Sequence, residues 1–256
     1  MKLSGNTILV TGGSAGIGLA FAKKFKELGN EVIITGRRQE KLDEAKAAVP
    51  GIHAIQCDAA DTAQVEALGQ QLKQDFPELN VLFNNAGIFL NKNLAATNVD
   101  LVSLTKEIDI NLSGAIRTVA ATMEQIIANK GTIINVSSGL AFVPLTSGPI
   151  YSATKAGLHS YTISLRYQMQ EHGVEVIELM PPAVKTELTS ELPEGGGFTM
   201  LTTDELVVAT LKGLKSGKAE IRPGQANQLH WMSRIAPGFI NGQIYKGSKS
   251  LIPPAE

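Results

Sequence analysis

The chain has 256 residues, of which 43% are hydrophobic and 18% charged, and its formal net charge at pH 7 is −1. This length supports a substantial buried core, and a near-neutral charge without basic blocks argues against nucleic acid or an anionic membrane as the main partner. Cys57 is the only cysteine, which excludes an intrachain disulfide, and no apolar run approaches the roughly 20 residues of a membrane span. We therefore expect a cytoplasmic protein without a membrane span.

The first predicted elements are a buried strand over residues 7–10 and a helix whose apolar spacing runs from Leu19 to Gly29. Between them lies a glycine-rich turn, Thr11-Gly12-Gly13-Ser14-Ala15-Gly16-Ile17-Gly18. Glycines let the backbone approach a pyrophosphate, and a helix N-terminus supplies N–H donors and the positive end of its dipole. Strand, turn and helix together indicate a dinucleotide-binding motif.

The second predicted strand covers residues 31–35 and leads into Gly36-Arg37-Arg38. In NAD-binding proteins an acidic residue near this point holds the ribose 2′-hydroxyl. A guanidinium instead binds a 2′-phosphate through charge-assisted hydrogen bonds. The alternative is that both arginines are solvated at the start of the next helix, over residues 39–48; we favour the phosphate interpretation because the acid is missing at the expected position.

The third predicted strand, residues 52–57, ends at Asp58, and a helix over residues 62–75 leads to a fourth strand, residues 79–83. Asp58 falls at a strand carboxyl end, where ligands bind in open α/β sheets. The fourth strand ends in an amide-rich turn able to line a cofactor, Asn84-Asn85-Ala86-Gly87. His53 has no companions at metal-ligand spacing, so no metal site is predicted.

A long helix is predicted over residues 100–129, with one apolar stripe interrupted by Asn111. Asparagine is a middling helix former, and by itself Asn111 would simply face solvent. The fifth predicted strand, residues 131–136, brings Ser137 and Ser138 to the carboxyl edge of the sheet.

The next helix begins near Pro149, with Ser147 as a candidate cap, and places Tyr151 and Lys155 on one face because they are four residues apart. A cation within about 4–6 Å lowers a phenol pKa by roughly 1–3 units, toward the range of efficient acid–base chemistry. The alternative is an ordinary surface pair.

A sixth predicted strand covers residues 174–179. Strands that alternate with helices this regularly indicate an α/β fold with a doubly wound parallel sheet, the Rossmann fold, and no linker divides the 256 residues into two domains. The functional groups should gather where the strands end.

The last quarter departs from this alternation. Residues 187–203 follow the Pro181-Pro182 turn and include a glycine run at 195–197, which predicts a lid over a pocket or else a surface loop. A helix over residues 203–214 and a strand near 220–221 complete the sheet. The apolar C-terminal extension, residues 225–256, predicts a subunit interface or pocket wall in preference to a membrane-surface helix.

These motifs resemble the short-chain dehydrogenase/reductase family, in its compact subclass of about this length, over nearly all of residues 5–190. Residues 11–18 are similar to its TGxxxGIG turn and residues 84–87 to its NNAG motif, while Asn111 falls where the family has its helix asparagine.

Ser138 lies thirteen residues before Tyr151, and with Lys155 these residues are similar to the family's Ser…Tyr-x-x-x-Lys set. On that spacing Ser138 is a better candidate than Ser137. A fainter likeness, in residues 137–142 and 234–239, is to a bacterial subgroup found with cell-envelope operons.

The resemblance implies an NADP(H)-dependent oxidoreductase that interconverts a carbonyl and an alcohol. Tyr151 would be the general acid/base, Ser138 would hydrogen-bond the substrate oxygen, Lys155 would lower the phenol pKa and hold the nicotinamide ribose, and Asn111 would anchor a water. The implied cofactor-binding set is Gly12, Ser14, Gly16, Ile17, Gly18, Arg37, Arg38, Asp58, Asn85, Ala86, Gly87, Tyr151, Lys155, Pro181, Val184 and Thr186. A homodimer or homotetramer is also implied.

Two positions depart from the family pattern. Pro181-Pro182 replaces the usual Pro-Gly, and Ala15 replaces a frequent basic residue, so the expected NADP(H) preference depends on Arg37 and Arg38. Two other functions stay open, a non-catalytic NADP-sensing module and a related epimerase or dehydratase. The substrate itself is not specified, because the pocket walls come from the variable segments near residues 89–94, 140–149 and 187–200.

Overall fold

The computed structural model describes residues 1–97, 99–190 and 199–255. Their core is one parallel sheet of seven strands in the order β3-β2-β1-β4-β5-β6-β7. The strands are β1 (Thr7–Thr11), β2 (Glu31–Gly36), β3 (His53–Gln56), β4 (Leu79–Asn84), β5 (Thr132–Val136), β6 (Glu175–Leu179) and β7 (Glu220–Ile221). The predicted fold class, a doubly wound parallel sheet, is confirmed.

Helices cover both faces of the sheet. They are α1 (Gly16–Glu27), α2 (Gln39–Ala48), α3 (Thr62–Asp75), α4 (Leu101–Ile108), α5 (Ala115–Ala128), α6 (Pro149–Met169), α7 (Thr203–Lys215), α8 (Gln225–Ile235) and α9 (Pro237–Ser248). Among the described residues, no helix is both long and apolar enough to cross a membrane.

Two apolar layers hold these helices to the sheet, because successive strand residues point to opposite faces. Ile8 packs in the layer under α1, α2 and α7, whereas its neighbour Leu9 packs in the layer under α3, α5 and α6. Both are fully buried, as expected for a parallel sheet covered on both faces.

The strand order reverses between β1 and β4, since β1 connects onward to β2 on one side and pairs with β4 on the other. In open α/β sheets ligands bind in the crevice at such a switch point, at the carboxyl ends of the strands. The fold therefore places the ends of β1, β4 and β5 around one cleft.

The helix predicted over residues 100–129 is divided. A π-helical turn, Asp109–Gly114, joins α4 to α5, and Asn111 in that turn is fully buried. The alternative that Asn111 simply faces solvent is therefore excluded: the wider turn points its amide at backbone groups of the segment after β4, which hold it in place. Such π turns are frequent at functional sites.

The start of α6 also differs from the prediction. Gly148, and not Ser147, precedes the first turn, and no side chain caps it. Ser147 is fully buried, and its hydroxyl accepts and donates no hydrogen bond in the structure. Pro149 opens the helix as expected and needs no N–H partner.

The predicted lid, residues 187–203, lies partly outside the described part of the chain. Residues 191–198, which include the glycine run, are not among the described residues. The two ends of this segment are held together, because Val184 and Leu201 form a parallel bridge and Leu201 N donates to Ala183 O at 3.0 Å. The lid itself stays a prediction.

Candidate active site

A cavity of about 1440 Å³ opens where the strands end. Residues that follow five different strands line it; one from each is Gly12, Arg37, Asn85, Ser138 and Pro181. A smaller cavity of about 130 Å³ adjoins it and shares Gly12, Gly87 and both arginines.

Most of the predicted site residues lie on these two walls. The larger cavity is lined by Gly12, Gly16, Ile17, Arg37, Arg38, Asn85, Gly87, Ser138, Tyr151, Lys155, Pro181, Val184 and Thr186. The smaller one adds Ser14, Asp58 and Ala86. Gly18 and Asn111 line neither cavity. They contact residues that do, Gly12 and Ile88.

The glycine turn has a backbone that only glycine adopts easily. Gly12 and Gly16 have φ of 63° and 51°, in the left-handed region that costs other residues free energy. A Cβ on Gly18 would lie 2.2 Å from the Gly12 carbonyl oxygen, so this position has no room for a side chain. The turn is thereby folded tightly, with Gly12, Gly16 and Ile17 lining the cavity.

The amide-rich turn after β4 is bonded to the glycine turn. Thr11 Oγ1 accepts from the backbone N–H groups of Asn85 and Ala86 at 2.9 and 3.0 Å, and Asn85 Nδ2 donates to Thr11 O at 3.0 Å. Residues 85–87 are therefore fixed against the cavity, which explains how an amide-rich turn shapes a ligand site.

The two arginines at the end of β2 differ in their contacts. Arg38 lies 3.7 Å from Glu187, across the mouth of the cavity, and both side chains are well exposed. Arg37 has no side-chain partner among the described residues and lines both cavities. Asp58 lies beside them and accepts from Ala60 N at 3.0 Å.

Asn111 connects the π turn to the wall of the cavity. Its Oδ1 accepts from Ile88 N and its Nδ2 donates to Ile88 O, both at 2.8 Å, and Nδ2 also lies 3.3 Å from Thr154 Oγ1. The side chain thus mimics a strand partner for Ile88 and joins α6 to the segment after β4.

Ser138, Tyr151 and Lys155 lie together on one wall. Ser138 Oγ accepts from Leu140 N at 3.1 Å and hydrogen-bonds Tyr151. Lys155 Nζ lies 5.6 Å from the centre of the Tyr151 ring and donates to Val136 O at 2.9 Å. A hydroxyl, a phenol and an ammonium therefore converge on the cavity.

For the protein chain alone, the Tyr151 phenol does not have the lowered pKa that the spacing predicts. Burial raises the pKa of Tyr151 to about 12; the hydrogen bond from Ser138 opposes this, and the charge of Glu107 adds to it. Burial also lowers the pKa of Lys155 to about 8. Removal of the phenol from water disfavours the phenolate, and this effect of burial outweighs that of the Ser138 hydrogen bond.

The segment after β6 closes the side opposite the glycine turn. Pro181 O accepts from Gly139 N at 2.9 Å, which ties the Pro181-Pro182 turn to the Ser138 turn. The Thr186 methyl group lies 3.4 Å from where a Gly16 Cβ would be. Thr186 and the glycine turn therefore face each other across a narrow gap.

The C-terminal helices form a wall of the cavity. Gln228, Leu229 and Met232 of α8 and Ile240, Gln243 and Ile244 of α9 line it. The prediction of an apolar C-terminal extension left an interface and a pocket wall as alternatives, and the structure places one face of both helices on the pocket.

Two buried acids near the site were missed from the sequence. Glu178 on β6 and Glu107 on α4 are both fully buried. A signal existed for Glu178, which lies near the carboxyl end of a predicted strand, where ligand-binding groups of open α/β sheets gather. Glu107 has no such local signal, because the burial of its part of the helix is decided by the tertiary structure.

Comparisons with known proteins agree with this geometry. The chain matches the short chain dehydrogenase family over residues 6–196. It is 45% identical over 224 residues to an uncharacterized oxidoreductase, DltE, of Bacillus subtilis (strain 168), covering 86% of this chain and 89% of that protein. The NADPH-dependent 1-acyldihydroxyacetone phosphate reductase of Schizosaccharomyces pombe (strain 972 / ATCC 24843) is 34% identical over 258 residues, 95% of this chain and 86% of that one.

A solved structure is similar over almost the whole chain. A short chain dehydrogenase from Burkholderia cenocepacia J2315, in complex with NADP, superposes with a TM-score of 0.84 at 25% identity and covers 95% of this chain and 99% of that one. Fold, motif order and sequence relatives all lead to the same assignment. The chain belongs to the short-chain dehydrogenase family, whose members are oxidoreductases that use nicotinamide cofactors.

Proposed function

We propose that the protein is an NADP(H)-dependent oxidoreductase that interconverts a carbonyl and an alcohol, with Tyr151 as general acid/base. The observation that carries this is the convergence of Ser138, Tyr151 and Lys155 on one wall of a cavity whose other end is the glycine turn. The proton donor, the hydroxyl that binds the substrate oxygen and the cation are then close together.

The residues at the glycine end fit a dinucleotide. Gly12, Gly16 and Gly18 place no side chain in this part of the chain. Because α1 begins at Gly16, the N–H groups of its N-terminus lie here too, which suits a pyrophosphate. Arg37 has an uncommitted guanidinium at the far end, suited to a 2′-phosphate. When bound, the nicotinamide supplies or accepts the hydride. A family relative named for NADPH and a similar structure in complex with NADP support this preference.

In the reduction direction, Tyr151 donates its proton to the carbonyl oxygen while Ser138 hydrogen-bonds that oxygen. Because burial keeps the phenol protonated, Tyr151 stands ready as an acid. In the oxidation direction Tyr151 accepts a proton, and positive charge at Lys155 stabilises the phenolate that does so.

The substrate side of the cavity is mainly apolar. Phe89 contacts the Tyr151 ring edge-on, with centroids 5.2 Å apart, and Leu145, Leu229 and Ile244 add further apolar surface. We therefore propose a small-molecule carbonyl with an apolar portion. The yeast relative, whose name specifies an acyl substrate, supports this proposal.

The test is NADPH oxidation against a panel of aldehydes, ketones and β-ketoacyl thioesters, followed by Tyr151→Phe on the best substrate. Positioned acid–base catalysis contributes about 10²–10⁴-fold, so kcat should fall by that factor while NADPH still binds in a fluorescence titration.

The matched control is Tyr167→Phe, which removes a hydroxyl from an exposed tyrosine on the same helix and should leave kcat unchanged. Near-normal turnover by Tyr151→Phe would rule out the phenol as the proton donor. NADPH binding without turnover of any panel member would favour an NADP-sensing module.

A further inference from the structure

The charged residues on the wall of the large cavity are unevenly distributed. Among the described residues of that wall, the two arginines after β2 and Glu187 belong to the glycine end, and Lys155 belongs to the catalytic wall. The two other charged residues are Lys106 on α4 and Lys246 on α9, and the function proposed above uses neither. Neither ammonium has a hydrogen bond or ion pair with another described residue.

Contacts between distant segments bring the walls of these two lysines to the same end of the cavity. Asn93 Nδ2, in the segment after β4, donates to Pro253 O at 2.7 Å and so ties the C-terminal wall to that segment. Lys92 Nζ donates to Ser103 Oγ at 3.3 Å and ties the same segment to α4. This meeting point lies further along the segment than Phe89, which packs on the phenol.

Each of the two walls presents one hydroxyl and one ammonium. Ser103 and Lys106 are three residues apart on α4, Lys246 and Ser250 are four apart across the end of α9, and all four line the cavity. Residues at these spacings share one face of a helix. Because Ser103 Oγ accepts from the Lys92 ammonium, its own O–H is available to donate into the cavity.

An anionic oxygen group is the ligand that suits these donors. Ammonium and hydroxyl groups make charge-assisted hydrogen bonds to phosphate and carboxylate oxygens. Glu107, the neighbour of Lys106 in sequence, does not line the cavity, and its Oε1 is occupied by Leu90 N. The described residues at this end therefore bring positive charge and donors to the cavity, while the rest of the substrate side is mainly apolar.

We propose, on the basis of the function proposed above, that the substrate carries a phosphate or carboxylate group at the end remote from its carbonyl, and that the two lysines and two serines of this cavity end bind that group. The substrate is then an amphipathic chain, with its carbonyl at Tyr151, an apolar middle and an anionic end. Uncharged carbonyl compounds of the same length are poorer substrates.

Binding of the anionic end can be measured without turnover, on the protein saturated with NADPH so that a phosphate cannot bind at the glycine end. Isothermal titration calorimetry compares octyl phosphate, nonanoate and octanol, which share an alkyl chain and differ in the end group. We expect one or both anions to bind more tightly than octanol, and the tighter anion identifies the group as phosphate or carboxylate. Equal affinity for all three compounds would overturn the proposal.

Two variants that remove a charge, and one control, test the two lysines. Lys106→Gln and Lys246→Gln should each weaken binding of the tighter anion about 5-fold, which is the effect expected of an exposed charge pair. Lys249→Gln removes an exposed lysine close to Lys246 in sequence that does not line the cavity, and the affinity should not change. Unchanged affinity in both cavity variants, or an equal loss in the control, would overturn the proposal.

Turnover separates this inference from the proposed function. An ω-oxo fatty acid and its methyl ester form a matched pair, and the ratio of their kcat/KM values should favour the acid. The ratio should fall in Lys246→Gln and stay the same in Lys249→Gln, and an unchanged ratio in Lys246→Gln would contradict the proposal. If no carbonyl compound is reduced, the proposed function fails, while calorimetry still decides whether this end of the cavity binds an anion.

Discussion

Burial controls the protonation of the side chains around this cavity. Tyr151, Lys155 and Glu107 are all shifted toward their neutral forms, and in each case loss of hydration is the largest cause. Neighbouring charges only modify the result. A carboxyl, a phenol and an ammonium with shifted pKa values thus lie near one another, which is the pattern expected where proton transfer occurs.

Arg37 should discriminate between the two nicotinamide cofactors. Arg37→Ala should weaken NADPH binding by about 10–150-fold, because a hydrogen bond to a charged group contributes about 1.5–3 kcal/mol. NADH binding should barely change, because NADH lacks the 2′-phosphate. Fluorescence titration with both cofactors measures the difference.

Arg38→Ala is the natural companion variant, since Arg38 already pairs with Glu187 and we expect a smaller loss. Equal losses of NADPH and NADH affinity in Arg37→Ala would contradict the assignment of this guanidinium to the phosphate.

Glu107 should make stability depend on pH. Its Oε1 accepts from Leu90 N at 3.0 Å, its Oε2 has no partner, and burial raises its pKa from 4.5 to about 7. The unfolded chain loses this proton at lower pH than the folded one, so the free energy of unfolding falls as pH rises from 4.5 to about 7. Glu107→Gln should lack this fall of roughly 1–3 kcal/mol.

Urea unfolding of both proteins at the two ends of that window measures the effect. Glu124→Gln, which changes an exposed glutamate on α5, should keep the pH dependence of the unmodified protein. If the free energy of unfolding of Glu107→Gln fell with pH as it does in the unmodified protein, another group would be the cause of that fall.

At the scale of elements, the π turn between α4 and α5 is the device that shapes the cavity wall. It lets one side chain, Asn111, bond both backbone groups of Ile88. Residues 88–90 in turn line the cavity, and Phe89 packs on Tyr151. A helix irregularity far along the chain therefore positions the segment beside the phenol.

Asn111→Ala should destabilise the protein and loosen this wall. Two partly buried backbone groups lose their partners, and each unsatisfied group costs about 1–3 kcal/mol. We expect a lower midpoint in urea unfolding with an unchanged slope. Ser113→Ala, in the same π turn and without a side-chain hydrogen bond among the described residues, should change little. Comparable losses of stability in both variants would mean that the π turn itself, and not the hydrogen bonds to Ile88, stabilises this wall.

At the scale of the whole molecule, the surface of the described residues carries large apolar side chains that are well exposed. Leu101 and Val102 on α4 are 73% and 78% exposed, and Tyr167 on α6 is 67% exposed. Trp231 and Phe239 are also more than half exposed on α8 and α9. The predicted homodimer or homotetramer would bury such surface, as subunit interfaces do.

Light scattering should therefore give the mass of two or four chains at micromolar concentration. Val102→Glu should shift the population toward the single chain, because a charge placed in an apolar interface loses its hydration without a partner. Val208→Glu alters another well-exposed valine, 68% exposed on α7, and should have no effect. A single-chain mass for the unmodified protein would contradict the prediction.

Much of the fold was predictable from local sequence. Strand and helix periodicity indicated the parallel sheet, and the glycine-rich turn, residues 84–87 and the Ser138, Tyr151 and Lys155 set were recognisable as motifs. These signals are short-range: side-chain periods of 2 and 3.6 residues and fixed spacings reflect backbone geometry that each segment carries by itself. Even the start of α6 at Pro149 follows from one residue type.

Other properties depended on residues distant in the chain. Asn111 is buried because Ile88 and Thr154 hydrogen-bond it, and α8 lines the cavity because it packs against Gly139, in the turn after β5. Sequence spacing placed Lys155 near Tyr151 but could not show that burial raises the phenol pKa in the chain alone. That rise depends on how completely water is removed from around the hydroxyl, and hydration is lost only when several elements close around one point.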